Sequence, residues 1–137
     1  RERARGGKAT AIDAAFMDKR EHAFSGDNLG WRLETIVYLE LLRRKAQSGN
    51  DIYYFQNRSA EADFVVCDGN KTQSIYQVSY DISNPKTRKR EIRGCIAAAQ
   101  ATQCNNILLI TDHESEMIEE DGYTIQVIPV WEWLVSE

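Results

Sequence analysis

The chain has little of what would mark a metal-clipped, disulfide-bonded or membrane protein. Its three cysteines, Cys67, Cys95 and Cys104, are odd in number and lack the paired spacing of a zinc site. They read as small buried apolar side chains in a reducing compartment. The two histidines, His22 and His113, stand near no other ligand type at a metal-binding spacing and read as surface or structural residues. Two prolines and eight glycines leave no room for a long low-complexity linker. No run is long and apolar enough to span a bilayer and no signal peptide is visible, so a cytoplasmic location without membrane contact is expected. A strong excess of one charge is missing too. Lys and Arg number 17 against 21 Asp and Glu, a net charge of −4, so any affinity for nucleic acid has to come from a local basic patch.

What is present is the composition of an ordinary globular domain, 42% apolar and 28% charged. A length of 137 residues suits one domain with a real core and is too short for two. The first residue is Arg1 rather than methionine, which leads to the expectation that the chain belongs to a longer polypeptide. Residues 1–27 carry the weakest pattern and read as a linker or N-terminal extension from an upstream domain. Within them Lys8 to Ile12 reads as a short strand, Ala14 to Lys19 as a small helical piece, and Arg1 to Gly7 as a tail. Residues 28–137 read as the folded domain.

From Asn28 to about Gln47 the pattern is helical, with Asp27 or Asn28 as cap and Ser48-Gly49-Asn50 as stop. Leu29, Leu33, Ile36, Val37 and Leu41 form its main apolar stripe. A second strip of Trp31, Glu34, Tyr38 and Leu41 contains one carboxylate. Three strand-like runs follow, Asp51 to Gln56, Glu61 to Cys67 and Gln73 to Tyr80, and their short turns favour an antiparallel meander. Asn84-Pro85 opens a second helix, asparagine as cap and proline in the first turn, which continues to about Gln103 with Ile92, Ile96 and Ala99 inward. Asn106 to Thr111 and Tyr123 to Ile128 read as strands, and Pro129 to Leu134 as a short helix. The expected fold is α/β (α+β), one mixed central sheet flanked by helices in the order α-β-β-β-α-β-β-α.

Polar residues interrupt two of the apolar strands. Asp63 lies within Glu61-Ala62-Asp63-Phe64-Val65-Val66, and Gln77 and Ser79 lie within Ile75-Tyr76-Gln77-Val78-Ser79-Tyr80. Side chains alternate across a strand, so Gln77 and Ser79 share one face, as do Glu61 and Asp63. A three-residue loop centred on Asn70 sets Asp63 opposite Gln77, about 5 Å away. A two-residue loop shifts the register and puts them on opposite faces. Glu34 is the third element, because a carboxylate in an apolar strip costs energy unless it is exposed, paired or bound to a cation. Glu40 needs no such account, standing four residues before Arg44 in the favourable order for a surface ion pair.

These residues resemble the PD-(D/E)XK nuclease superfamily, with glutamate on the first helix, aspartate on the second strand and (D/E)-x-K on the third. More closely, about Leu29 to Leu134 is similar to the nuclease-like domain of unknown function at the C-terminus of many prokaryotic AAA+ ATPases. The resemblance rests on Leu33-Glu34-Thr35-Ile36-Val37-Tyr38-Leu39-Glu40-Leu41, Glu61 to Val66, Gln77-Val78-Ser79-Tyr80, Arg88-Lys89-Arg90-Glu91-Ile92 and Val127 to Leu134. It implies a restriction-endonuclease-like core and an upstream ATPase domain in the same polypeptide. It further implies a magnesium site in which Asp63 is the central ligand and Glu34 an outer one through water. Gln77 offers its side-chain oxygen and Val78 its backbone carbonyl. Family members that look intact carry glutamate and lysine where this chain has Gln77 and Ser79. Glutamine removes a negative charge, and serine lacks the cation that orients an attacking water and offsets developing charge. Glu61, on the face of Asp63, is a candidate to restore one carboxylate, and the second helix a candidate to supply the cation.

That helix crowds Lys86, Arg88, Lys89, Arg90 and Arg93 into its first turns, where the macrodipole disfavours cations. Two readings stay open: a solvated face partly balanced by Glu91, or a patch that contacts phosphates without reading sequence. The expected function is accordingly a catalytically degenerate nuclease-like domain serving nucleic-acid binding, regulation or assembly. The alternatives are an active magnesium-dependent phosphodiesterase, with Glu34, Asp63, Gln77 and Ser79 as its site, and a structural α/β module with no nucleic-acid role.

Overall fold

The computed structural model describes residues 8–11, 28–58 and 60–136. Its strands are β1 (Lys8–Ala11), β2 (Asp51–Gln56), β3 (Glu61–Asp68), β4 (Lys71–Val78), β5 (Ile107–Thr111), β6 (Glu116–Glu120) and β7 (Tyr123–Pro129). Its helices are α1 (Asn28–Ser48), α2 (Pro85–Thr102) and α3 (Val130–Leu134). All seven strands lie in one mixed sheet, ordered β1-β2-β3-β4-β5-β7-β6. The first four are antiparallel neighbours, β4, β5 and β7 run parallel, and β6 returns antiparallel on the edge. A parallel step needs a crossover, and α2 supplies it between β4 and β5.

The sheet is covered on both faces. Cys95, Ile96, Ala98 and Ala99 of α2 pack over Val65, Ile75, Leu109 and Ile125. On the other face Leu33, Val37, Tyr38 and Leu41 of α1, with Trp133 of α3, cover Phe64, Tyr76, Ile110 and Ile128. Trp133 is fully buried, its ring 5.6 Å from Tyr76, and the Arg44 guanidinium stacks on it at 4.5 Å. The same guanidinium donates to the carbonyls of Trp133 and Ser136 at 2.9 and 3.0 Å, and the Trp133 carbonyl also accepts from the Ser136 N–H and hydroxyl, which together close the C-terminal end of α3. The three cysteines are buried and form no disulfide. No described helix is long and apolar enough to cross a membrane.

The element order corrects the expected α-β-β-β-α-β-β-α in two places. Lys8–Ala11, expected within the linker, pairs antiparallel with β2 and belongs to the sheet. The tail and the helical piece at Ala14 to Lys19 lie outside the described residues. The second addition is β6, whose Glu-Met-Ile-Glu-Glu sequence buries only Ile118. One inward apolar residue makes no alternation to read, and exposed carboxylates suit an edge strand that must not pair further. Its tight turn to β7 uses Asp121 and Gly122, both at positive φ (52° and 82°).

Register decides which face Asp63 shows. The loop between β3 and β4 holds only Gly69 and Asn70, with Gly69 left-handed at φ 63°. A two-residue loop alone would have moved Asp63 away from Gln77. A bulge beyond Val66 inserts one residue into β4 and resets the pairing to Val65↔Ile75 and Phe64↔Tyr76, which carries Asp63 opposite Gln77.

Candidate functional site

Where β3 begins and β4 ends, each strand lends a side chain to the other's backbone. The Asp63 N–H donates to Gln77 Oε1 at 2.9 Å, and the Val78 N–H donates to Asp63 Oδ2 at 2.9 Å. Two buried backbone donors are satisfied in this way without a ladder partner. The Gln77 amide nitrogen turns the other way and donates to Glu91 Oε1 at 2.5 Å. Arg90 Nη2 then donates to Glu91 Oε2 at 3.0 Å. Asp63, Gln77 and Glu91 are all buried, whereas the Arg90 side chain is 66% exposed. A chain of hydrogen bonds thus runs from β3 through β4 to the first turns of α2 and out to solvent.

Gly94 explains how α2 comes so near. A Cβ at that position would stand 2.3 Å from the Glu61 carbonyl oxygen and 3.3 Å from Gln77 Nε2. Only glycine permits this contact between helix and strand. One turn earlier, the same approach brings Glu91 within reach of Gln77.

Above this chain opens a cleft of about 690 Å³, and Glu34, Asp63, Gln77, Val78 and Ser79 all line it. The five residues singled out from sequence therefore meet, from α1, β3 and the end of β4. Gln77 and Ser79 both make side-chain hydrogen bonds within the protein. The Gln77 oxygen, expected to face a metal, accepts from the Asp63 backbone instead. Ser79 Oγ turns along its own loop toward the Asp81 carbonyl at 3.4 Å.

The five basic residues of α2 lie in different surroundings. Arg88 is held by both oxygens of Glu116 at 2.6 and 3.0 Å. Arg90 alone lines the cleft. Lys89 and Arg93 line, with Arg88, a second groove of about 790 Å³ that also holds Glu120 and Asp121. Among the described residues, Lys86, Lys89 and Arg93 form no ion pair.

Sequence reasoning missed Thr87 and Glu91 as cleft residues. A signal for Glu91 was present. With Cys95 and Ala98, both fully buried, it forms an i, i+4, i+7 stripe on α2, so it is a carboxylate on an apolar stripe just as Glu34 is. Burial pushes the Glu91 carboxyl above the ordinary carboxylate range, and the charge of Asp63 pushes it further. Hydrogen bonds from Arg90 and Gln77 pull the other way. Behind this pair the Cys95 thiol is also pushed up by burial, which makes it a packing residue rather than a nucleophile.

The magnesium implied by the resemblance finds suitable donors in Asp63 and Glu34, since that ion takes one or two carboxylates and keeps several waters. The Gln77 oxygen, the further donor implied there, already accepts from the Asp63 N–H. Among the described residues, no three His, Cys, Asp or Glu side chains are gathered at ligating distance.

Residues 29–133 match the family described as "Domain of unknown function (DUF4143)". Among curated proteins, the uncharacterized protein MJ1544 of Methanocaldococcus jannaschii is 29% identical over 115 residues, 80% of this chain and 25% of that protein. The chain therefore spans about a quarter of the length of this relative. No solved structure matches it.

Proposed function

The chain belongs to the DUF4143 family, and from that premise we propose that it is a nuclease-like domain, of restriction-endonuclease-like type, within a larger ATP-hydrolysing protein. Its cleft engages the sugar–phosphate backbone of a nucleic acid. One observation carries this reading: Glu34, Asp63, Gln77, Val78 and Ser79, residues of three separate segments, line a single cleft. The greater length of the archaeal relative is consistent with a multidomain context.

In this reading Asp63 and Glu34 hold magnesium, which when bound polarises a phosphate and lowers the pKa of a water. The protein's part is positional. The Val78 N–H fixes one Asp63 oxygen, and the Gln77 amide ties the start of β3 to α2. Arg90, exposed at the edge of the cleft, is placed to meet an incoming phosphate.

A second reading, a binding or assembly module without cleavage, is favoured by a different observation. The third strand carries Gln77 and Ser79 where an acid and a lysine would act, and the Gln77 oxygen is engaged internally. Short labelled single-stranded and duplex DNA, incubated at low salt with magnesium or manganese, separates the two. Cleavage by the wild type that is lost in Asp63→Asn supports the first reading. Salt-dependent binding without cleavage supports the second. Neither binding nor cleavage at low salt refutes the first reading and a nucleic-acid-binding role, and leaves an assembly or structural module.

A further inference from the structure

We infer that Arg90 and Glu91 of α2 supply the cation and the acid that the third strand lacks, with Gln77 as the residue that positions Glu91. The inference rests on the first reading of the cleft and assigns two residues to it.

The reach of the side chains is the first ground. Position 77 is where the resemblance expects an acid, and its side chain ends 2.5 Å from Glu91 Oε1, within the same cleft. A carboxylate carried by the helix therefore sits beside the place a strand carboxylate would have occupied. Its neighbour Arg90 holds the other oxygen and remains largely exposed, so a guanidinium stands at the opening where Ser79 offers none.

The identity of residue 77 is the second ground. Its side chain has to accept from the Asp63 N–H and meet Glu91 at the same time. Glutamine does both, with oxygen toward the backbone and nitrogen toward the carboxylate. Glutamate would bring two carboxylates into a 2.5 Å contact, a like-charge clash in a buried place. Glutamine at 77 and glutamate at 91 are thus one coupled choice. The helix is also seated for it, because Gly94 lets α2 lie against the Glu61 carbonyl where any side chain would hold it away.

Packing alone gives no reason for this arrangement. Glu91 is a buried acid facing the charge of Asp63, and a neutral residue of its shape would avoid that repulsion. Costs of this kind persist where a site requires them.

Manganese binding to the full chain, followed by calorimetric titration and by the rise in thermal midpoint, tests the assignment without an activity readout. Glu91→Gln keeps the shape and an acceptor for Gln77, and near-ultraviolet circular dichroism confirms its packing. The expected result is binding by the wild type and a loss in Glu91→Gln of at least about tenfold, the lower end even for residues that merely support a ligand. The exchanged pair Gln77→Glu with Glu91→Gln returns the acid to the strand, keeps one carboxylate and one amide in contact, and recovers most of the affinity. Wild-type affinity in Glu91→Gln, with affinity lost in Asp63→Asn, overturns the assignment while the cleft reading stands. An exchanged pair no better than Glu91→Gln overturns the coupling of residue 77 to residue 91. No manganese binding by the wild type overturns the assignment together with the first reading.

Discussion

Replacing Gly94 by alanine tests whether the close seat of α2 holds the cleft together. Two effects oppose each other. Alanine in a helix interior is favoured over glycine by about 1 kcal/mol. Against this, the new Cβ would lie 2.3 Å from the Glu61 carbonyl oxygen, a backbone atom that cannot swing aside. A retreat of the helix by about 1 Å restores ordinary contact. Overpacking of this kind costs about 1–3 kcal/mol, with the upper end fitting a clash against backbone. The net expectation is a loss of about 1–2 kcal/mol, or a fall in Tm of roughly 3–10 °C for a domain of this size. The same retreat opens the Gln77–Glu91 hydrogen bond beyond bonding distance, since it starts at 2.5 Å. Urea and thermal unfolding give the stability, and manganese titration of the folded variant reports on the cleft. A variant as stable as the wild type or more so would show that helix propensity wins and that the contact with β3 is not tight.

Further expectations concern residues outside the cleft. Glu40 is held by Arg43 and Arg44 at 2.8–3.0 Å, and the Arg43 hydrogen bond foremost lowers its carboxyl to about 2. Since the folded value lies below the unfolded one, this stabilisation is complete above about pH 4.5 and is lost as pH falls toward 2. Glu40→Gln should therefore lower stability at pH 7, flatten the acid limb of a stability–pH curve in that window, and match the wild type near pH 2. Arg44→Ala removes the cap and the stacked cation on Trp133, and a loss of about 2 kcal/mol is expected, with tryptophan fluorescence reporting a loosened α3. Neutralising Lys86, Lys89 and Arg93 together should weaken duplex DNA binding and reduce the salt slope by up to about 3, measured by anisotropy across a salt series. An unchanged slope would remove these residues from the nucleic-acid surface.

Local signals were legible in the sequence. Asn84-Pro85 marks the start of α2, and the Asn84 side chain accepts from the Lys86 and Thr87 N–H groups at 2.9 and 3.2 Å. That chemistry spans four residues and needs no tertiary context. The Asp63–Gln77 juxtaposition was legible only as one of two registers, because the β4 bulge that decides between them leaves no mark in the local sequence pattern. The parallel placement of β5 and β7 and the edge position of β6 arise from packing between distant segments, which no local pattern encodes. Glu91 escaped notice for a related reason. Its neighbour Ile92 suggested a stripe through Ile96 and Ala99, while the deeper stripe is built from small residues, Cys95 and Ala98, with little hydrophobic signal. Glu34 stood out because Trp31, Tyr38 and Leu41 around it are large.

Among the described residues the cleft carries Glu34, Glu61, Asp63, Asp81 and Glu91 against Arg90 alone, and such a lining repels a phosphate backbone unless a divalent cation intervenes. The most direct test is the affinity of the chain for a labelled single-stranded oligonucleotide at low salt, titrated with manganese in the wild type and in Asp63→Asn. The expected result is affinity that rises with manganese in the wild type and stays flat in the variant. Equal affinity in both proteins, indifferent to manganese, would contradict a nucleic-acid site at this cleft.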